Sequence, residues 1–208
     1  MCQIKATKQG VFHPLTTTCF IKHNTLILII MTFFLNSFPT ILFSQTNGIN
    51  TNKELNDASV GNHDGVLGLF SHSESSDPEQ ITAGWSGKAL IFDGVDDFVS
   101  IPGSDNSSLD IAGGPVTLSA WVNPDNQCSS DEVRSVAGKG NTQYTLRQTE
   151  NAWEFSVYDG SSESELTVSS DDPPSTSEWT HLTGRYDPES DDVSLWVNGV
   201  KQGDSGVS

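Results

Sequence analysis

The chain has 208 residues, with 27 acidic side chains against 10 basic ones and a formal charge of −17. So acidic a chain repels nucleic acid and anionic membrane surfaces, and its length suits one domain with a real core. Of its three cysteines, Cys2 and Cys19 fall in the first 44 residues, which leaves Cys128 without an internal disulfide partner, and no zinc-ligand spacing is present.

The first 44 residues contain no Asp or Glu. They carry Lys5, Lys8 and Lys22, then an apolar run from Leu26 to Phe43, then small Ser44 before a polar stretch that starts at Gln45. A basic start, an apolar middle and a small residue before polar sequence describe a secretory signal peptide. An uncleaved membrane anchor is the competing reading, but Asn36, Ser37 and Pro39 interrupt the run. The expected layout is a leader over 1–44, a flexible linker over 45–55 and a folded domain over 56–208. Cleavage after Ser44 leaves 208 − 44 = 164 residues with a formal charge of 7 − 27 = −20. The expected location is extracellular or at the cell surface, with no membrane insertion once the leader is gone.

A short strand is expected at Val66–Phe70, followed by a polar loop from Ser71 to Gln80. Strands then recur at nearly even spacing: Ala89–Phe92, Phe98–Ile101, Val116–Asn123, Val133–Gly138, Tyr144–Gln148, Trp153–Tyr158, Glu165–Val168, Trp179–Tyr186, Val193–Asn198 and Val200–Gln202. Turn formers separate them, among them Gly94, Asp159-Gly160, Asp187-Pro188 and Asn198-Gly199. Asn-Gly between two alternating runs is the strongest hairpin signal in the chain. Many short strands and no stretch of helical periodicity make an all-β protein, a two-sheet sandwich or jelly roll.

Alternation assigns faces. Trp153, Phe155 and Val157 share one, and so do Val193, Leu195 and Val197; both sets belong to the core. Trp121 and Trp196 have the opposite parity to the apolar sets of their own strands, so they point outward. Asp125, Asn126, Gln127, Ser129, Ser130 and Asp131 around Cys128 place that cysteine in an exposed loop. The adjacent pairs Asp96-Asp97 and Asp191-Asp192 are expected as solvated turn residues, since neighbours on a strand point to opposite faces.

The segments Lys88–Pro102 (KALIFDGVDDFVSIP), Val116–Pro124 (VTLSAWVNP) and Glu178–Val200 (EWTHLTGRYDPESDDVSLWVNGV) resemble the laminin-G-like jelly-roll family of the concanavalin A-like lectin superfold. The resemblance implies an all-β, two-sheet antiparallel jelly-roll sandwich over 56–208. In that family the strand after the Asn-Gly turn is followed by further strands that close the sheet. The chain ends at Ser208, so the expectation is an incomplete domain of a longer protein with its closing strands missing. The resemblance also gives His181 a structural place.

Asn56–Leu67 is similar to a family loop that helps hold a calcium ion. Asp57 and Asn62 are the matched side chains, Asp64 replaces a usual glycine, and Asp93 at the first hairpin is a further carboxylate. Calcium needs six to eight hard oxygens, which a loop rich in Asn, Asp and Gly can wrap around it. The same residues also serve as turn formers bonded to local backbone, and both readings stand at this point.

Sugar binding needs an exposed aromatic ring against which pyranose C–H groups stack, with polar groups beside it to fix the hydroxyls. Trp121, Tyr144, Arg147, Tyr158 and Trp196 are the candidates. Catalytic signals are weak. Glycosidases need two facing carboxylates; Glu163 and Glu165 lie in a Ser-rich loop, Glu154 stands alone in its strand, and no nucleophile elbow is present. The expected function is therefore a secreted, non-catalytic binding module for a polysaccharide or a glycoprotein glycan, calcium-assisted, within a larger extracellular protein. The alternative is a protein–protein adhesion module without a sugar site. A degenerate or accessory domain of a glycoside hydrolase comes third.

Overall fold

The computed structural model describes residues 17–20, 25–29, 54–55, 64–68, 75–101, 109, 111, 114–139, 143–158 and 165–203. Among them every regular element is a strand: β1 (Thr17–Phe20), β2 (Thr25–Ile29), β3 (Glu54–Leu55), β4 (Gly65–Leu67), β5 (Glu79–Gly84), β6 (Gly87–Phe92), β7 (Phe98–Ile101), β8 (Val116–Pro124), β9 (Arg134–Gly138), β10 (Tyr144–Gln148), β11 (Trp153–Tyr158), β12 (Glu165–Ser169), β13 (Thr180–Asp187), β14 (Asp192–Val197) and β15 (Val200–Lys201). The expected all-β sandwich is the fold observed. One sheet has seven strands in the order β15-β14-β13-β8-β2-β6-β5; a second has the order β12-β11-β10-β9 and a third β1-β7-β4-β3. Strand β1 runs beside β9, and β11 and β12 pack across the core on β13 and β14.

From β6 onward the strands fall within a residue or two of their expected places, because each carries its own apolar alternation. Two elements differ. Glu79–Gly84, whose first two residues lie in the expected polar loop, is a strand paired with β6. Glu54–Leu55, at the end of the expected linker, pairs with Gly65–Val66. Two pieces of the expected leader are also paired: β1 with β7, and β2 between β6 and β8. Cleavage after Ser44 would remove both and leave the edges of β6 and β8 facing each other across a strand-wide slot. Asp57 and Asn62 lie outside the described residues.

The core fills the space between the sheets with Leu90, Phe92, Leu118, Ala120, Val122, Tyr144, Leu146, Trp153, Phe155, Val157, Leu182, Val193 and Leu195. Burying a side chain of the Leu, Val or Phe class contributes about 1.5–3 kcal/mol. Alternation is visible along β13, where Leu182, Gly184 and Tyr186 point inward while His181, Thr183 and Arg185 are half-exposed. At Gly184 the two layers come close: a Cβ there would collide with the Phe155 ring.

Two expectations are corrected here. Cys128 is buried, not exposed. Its loop is folded back by Arg134, itself only 3% exposed. The guanidinium donates to the Asn126 carbonyl at 2.9 Å, the Asn126 Oδ1 at 2.8 Å and the Gln127 carbonyl at 3.2 Å, and it pairs with Glu132 at 3.3 Å. The Ser129 backbone N–H, with Arg134 behind it, holds the Glu132 carboxyl down to about 2. Asp97 is the second correction: it is buried rather than solvated.

Candidate functional site

The outer face of the seven-stranded sheet carries the aromatic residues. On β8 the outward side chains include Thr117, Ser119, Trp121 and Asn123; on β13 they are His181, Thr183, Arg185 and Asp187. Register places His181 opposite Trp121 and Thr183 opposite Ser119. The Ser119 hydroxyl lies 2.8 Å from His181 Nε2 and 3.2 Å from the Thr183 hydroxyl. The imidazole tilts against Trp121, with centroids 4.9 Å apart. The β14–β15 turn, with Asn198 and Gly199 both at positive φ, fixes His181 from the other side. Asn198 accepts from the His181 N–H through Oδ1 at 2.9 Å and donates its own N–H to the His181 carbonyl at 2.7 Å.

Trp85 completes this face. It sits in the turn between β5 and β6, 54% exposed, and stacks on Trp121 with ring centroids 4.2 Å apart and planes 16° apart. Sequence reasoning missed Trp85. The available signal was a tryptophan between Gly84 and Gly87, in a turn too tight to bury it. Trp196 faces outward as parity requires, half-buried beside Thr183 and Lys201.

The other candidates lie elsewhere. Tyr144 is withdrawn from any surface platform: it is 2% exposed, and its hydroxyl donates to the Leu109 carbonyl at 3.2 Å. Its parity with Leu146 puts it in the core. Arg147 and Tyr158 share the outer face of the β9–β12 sheet. Arg147 is held by Glu154 at 2.7 Å and Glu165 at 3.1 Å, so its charge is spent within the protein. Burial, then the neighbouring Glu165, raises the Tyr158 phenol.

A carboxylate cluster sits in the turn between β6 and β7, which are not the expected hairpin: β6 belongs to the seven-stranded sheet and β7 to the β1-β7-β4-β3 sheet. Asp93, Asp96 and Asp97 bring one oxygen each to within 4.8 Å of one another. Asp93 Oδ1 accepts from the Val95 N–H at 2.7 Å, Asp97 Oδ2 accepts from the Asp93 N–H at 2.6 Å, and Ser75 donates to Asp96 at 2.9 Å. Burial raises Asp97 to about 6, opposed by its bond to the Asp93 N–H and reinforced by Asp93, Asp96 and Asp77. Asp64 is not part of this group.

His181 makes a pH prediction. Burial lowers its pKa below the ordinary 6.5. The native state therefore binds fewer protons than the unfolded chain as pH falls, so the stability that the neutral ring carries is present above 6.5 and is lost below it. The thermal midpoint of the wild type is expected to drop between pH 7 and pH 5 more steeply than that of His181→Gln. Equal slopes would contradict the placement.

No curated protein and no solved structure matches the chain. Residues 93–208, more than half of its length, match the Laminin_G_3 family model of the concanavalin A-like lectin/glucanases superfamily, and the chain belongs to that family.

Proposed function

We propose that the protein is a non-catalytic, extracellular carbohydrate-binding module. The family supports a binding module in general terms. The observation that carries the sugar reading is the outward aromatic face of Trp85, Trp121 and His181 beside the hydroxyls of Ser119 and Thr183. Rings stack on pyranose C–H groups and hydroxyls fix orientation. The carboxylates Glu154 and Glu165 are both engaged by Arg147, which does not favour a catalytic pair. The test is a glycan array probed with the whole chain: signal is expected, and Trp85→Ala and Trp121→Ala should reduce it. Undiminished signal in both variants would move the ligand off this face.

Calcium is the proposed cofactor. Asp93, Asp96 and Asp97 supply converging hard oxygens, and a dication would relieve the like-charge crowding around buried Asp97. Bound calcium would brace the turn that carries the chain from β6 to β7. Calcium at 100 times its Kd is expected to add about 2.7 kcal/mol, a rise of several degrees in midpoint over EDTA. Asp93→Asn and Asp97→Asn should abolish that rise. A midpoint indifferent to calcium would remove the ion from the account.

A further inference from the structure

We propose that Trp85 is the ring that meets the ligand, that Trp121 is its support, and that the site takes one neutral pyranose residue. The inference rests on the sugar-binding reading above and specifies its contact.

The chain builds Trp85 into a fixed position. Gly84 and Gly87 pair across the end of the β5–β6 hairpin, leaving Trp85 and Ser86 as a two-residue turn. Gly87 has φ 104°, a left-handed conformation that an L side chain resists. At Gly84 a Cβ would lie 2.8 Å from the Lys88 carbonyl oxygen, so nothing larger fits the close approach. This turn lays the Trp85 ring flat on Trp121, and Trp121 has His181 as its other aromatic neighbour. Trp121 is therefore occupied by protein, while Trp85, 54% exposed, presents its outward side to solvent. A ring already stacked loses little rotamer freedom when a sugar lands on it. One open indole face matches one pyranose, and Trp196 sits on β14, two strands beyond Trp121's β8.

Charge decides the class of sugar. Arg185, on the same face, is held by Asp187 at 2.5 Å and faces Asp192 at 4.0 Å. Lys88 reaches Gln80 at 3.4 Å. His181 is neutral at pH 7, since burial lowers its pKa. With a formal charge of −17 on the chain, a carboxylated or sulfated sugar meets repulsion rather than a partner.

The test titrates the whole chain with xylan, a β-glucan, a galactomannan and alginate, following tryptophan fluorescence. At least one neutral polymer should bind and alginate should not. Trp85→Ala should weaken binding about tenfold, the loss of one stacking contact, while the variant keeps a single cooperative unfolding transition. Trp85→Phe should keep most of the affinity. The monosaccharide of the bound polymer should compete within about threefold of its oligomers, as one ring in the site requires. Neutral-polymer binding that survives Trp85→Ala overturns this inference while the sugar-binding reading stands. Alginate binding equal to that of a neutral polymer, or oligomers far tighter than the monosaccharide, overturns its ligand class. If none of the four polymers binds the wild type, the sugar-binding reading fails, and this inference with it.

Discussion

Gly184→Ala is expected to cost about 3 kcal/mol, lowering the thermal midpoint by roughly 6–12 °C for a domain of this size. Gly184 lies on the inner face of β13, paired with Leu118 on β8 and Leu195 on β14. Phe155 on β11 is fully buried and occupies the space that an alanine methyl would need. Backbone pairing on both sides keeps β13 from sliding, so the strain falls on the Phe155 ring or on the spacing of the two sheets. Interiors packed at crystal-like density absorb such a methyl poorly. Phe155→Leu in the same chain should recover part of the loss, and a double-mutant cycle should give a coupling of 1 kcal/mol or more, about the size seen for residues in contact. A Gly184→Ala midpoint equal to wild type would mean that β11 and β13 do not pack as described.

Arg134→Ala is expected to cost a further class of stability, about 3 kcal/mol, for a different reason. Its guanidinium is buried and gives hydrogen bonds to Asn126 and Gln127, as well as an ion pair to Glu132. Alanine removes those bonds and leaves a void beneath the loop, so both effects have the same sign. Burial keeps salt from screening the contact, so the loss should persist at high ionic strength. The loop should also open: Cys128, buried in the wild type, should become reactive towards a thiol reagent in Arg134→Ala. A variant that keeps both midpoint and thiol protection would show that the loop is held by something else.

Much of this could be read in the sequence, for a local reason. Trp153, Phe155 and Val157 alternate with Glu154 and Ser156, and such a pattern fixes a strand and its buried face without reference to the rest of the fold. The same parity turned Trp121 and Trp196 outward. It also places Tyr144 with Leu146 on the buried face, which is incompatible with a surface platform. Other features needed tertiary contact. Glu79–Gly84 holds a single large apolar residue, Ile81, so only pairing with β6 makes it a strand. The Trp85–Trp121 stack joins the β5–β6 turn to β8, elements distant in sequence. Cys128 is surrounded by polar neighbours and is buried because Arg134 folds the loop back over it. Local sequence makes Asp97 a solvated turn residue, because nothing local shows that it is buried with Asp93, Asp96 and Asp77 crowding it.

Sugar binding through the outer face of the seven-stranded sheet is tested most directly by affinity gel electrophoresis of the whole chain in gels cast with neutral polysaccharide. Wild-type protein should be retarded in at least one such gel, and a Trp85→Ala, Trp121→Ala double variant of unchanged fold should run as it does in a gel without polysaccharide. Equal retardation of the two proteins, or no retardation of the wild type in any gel, would contradict the account.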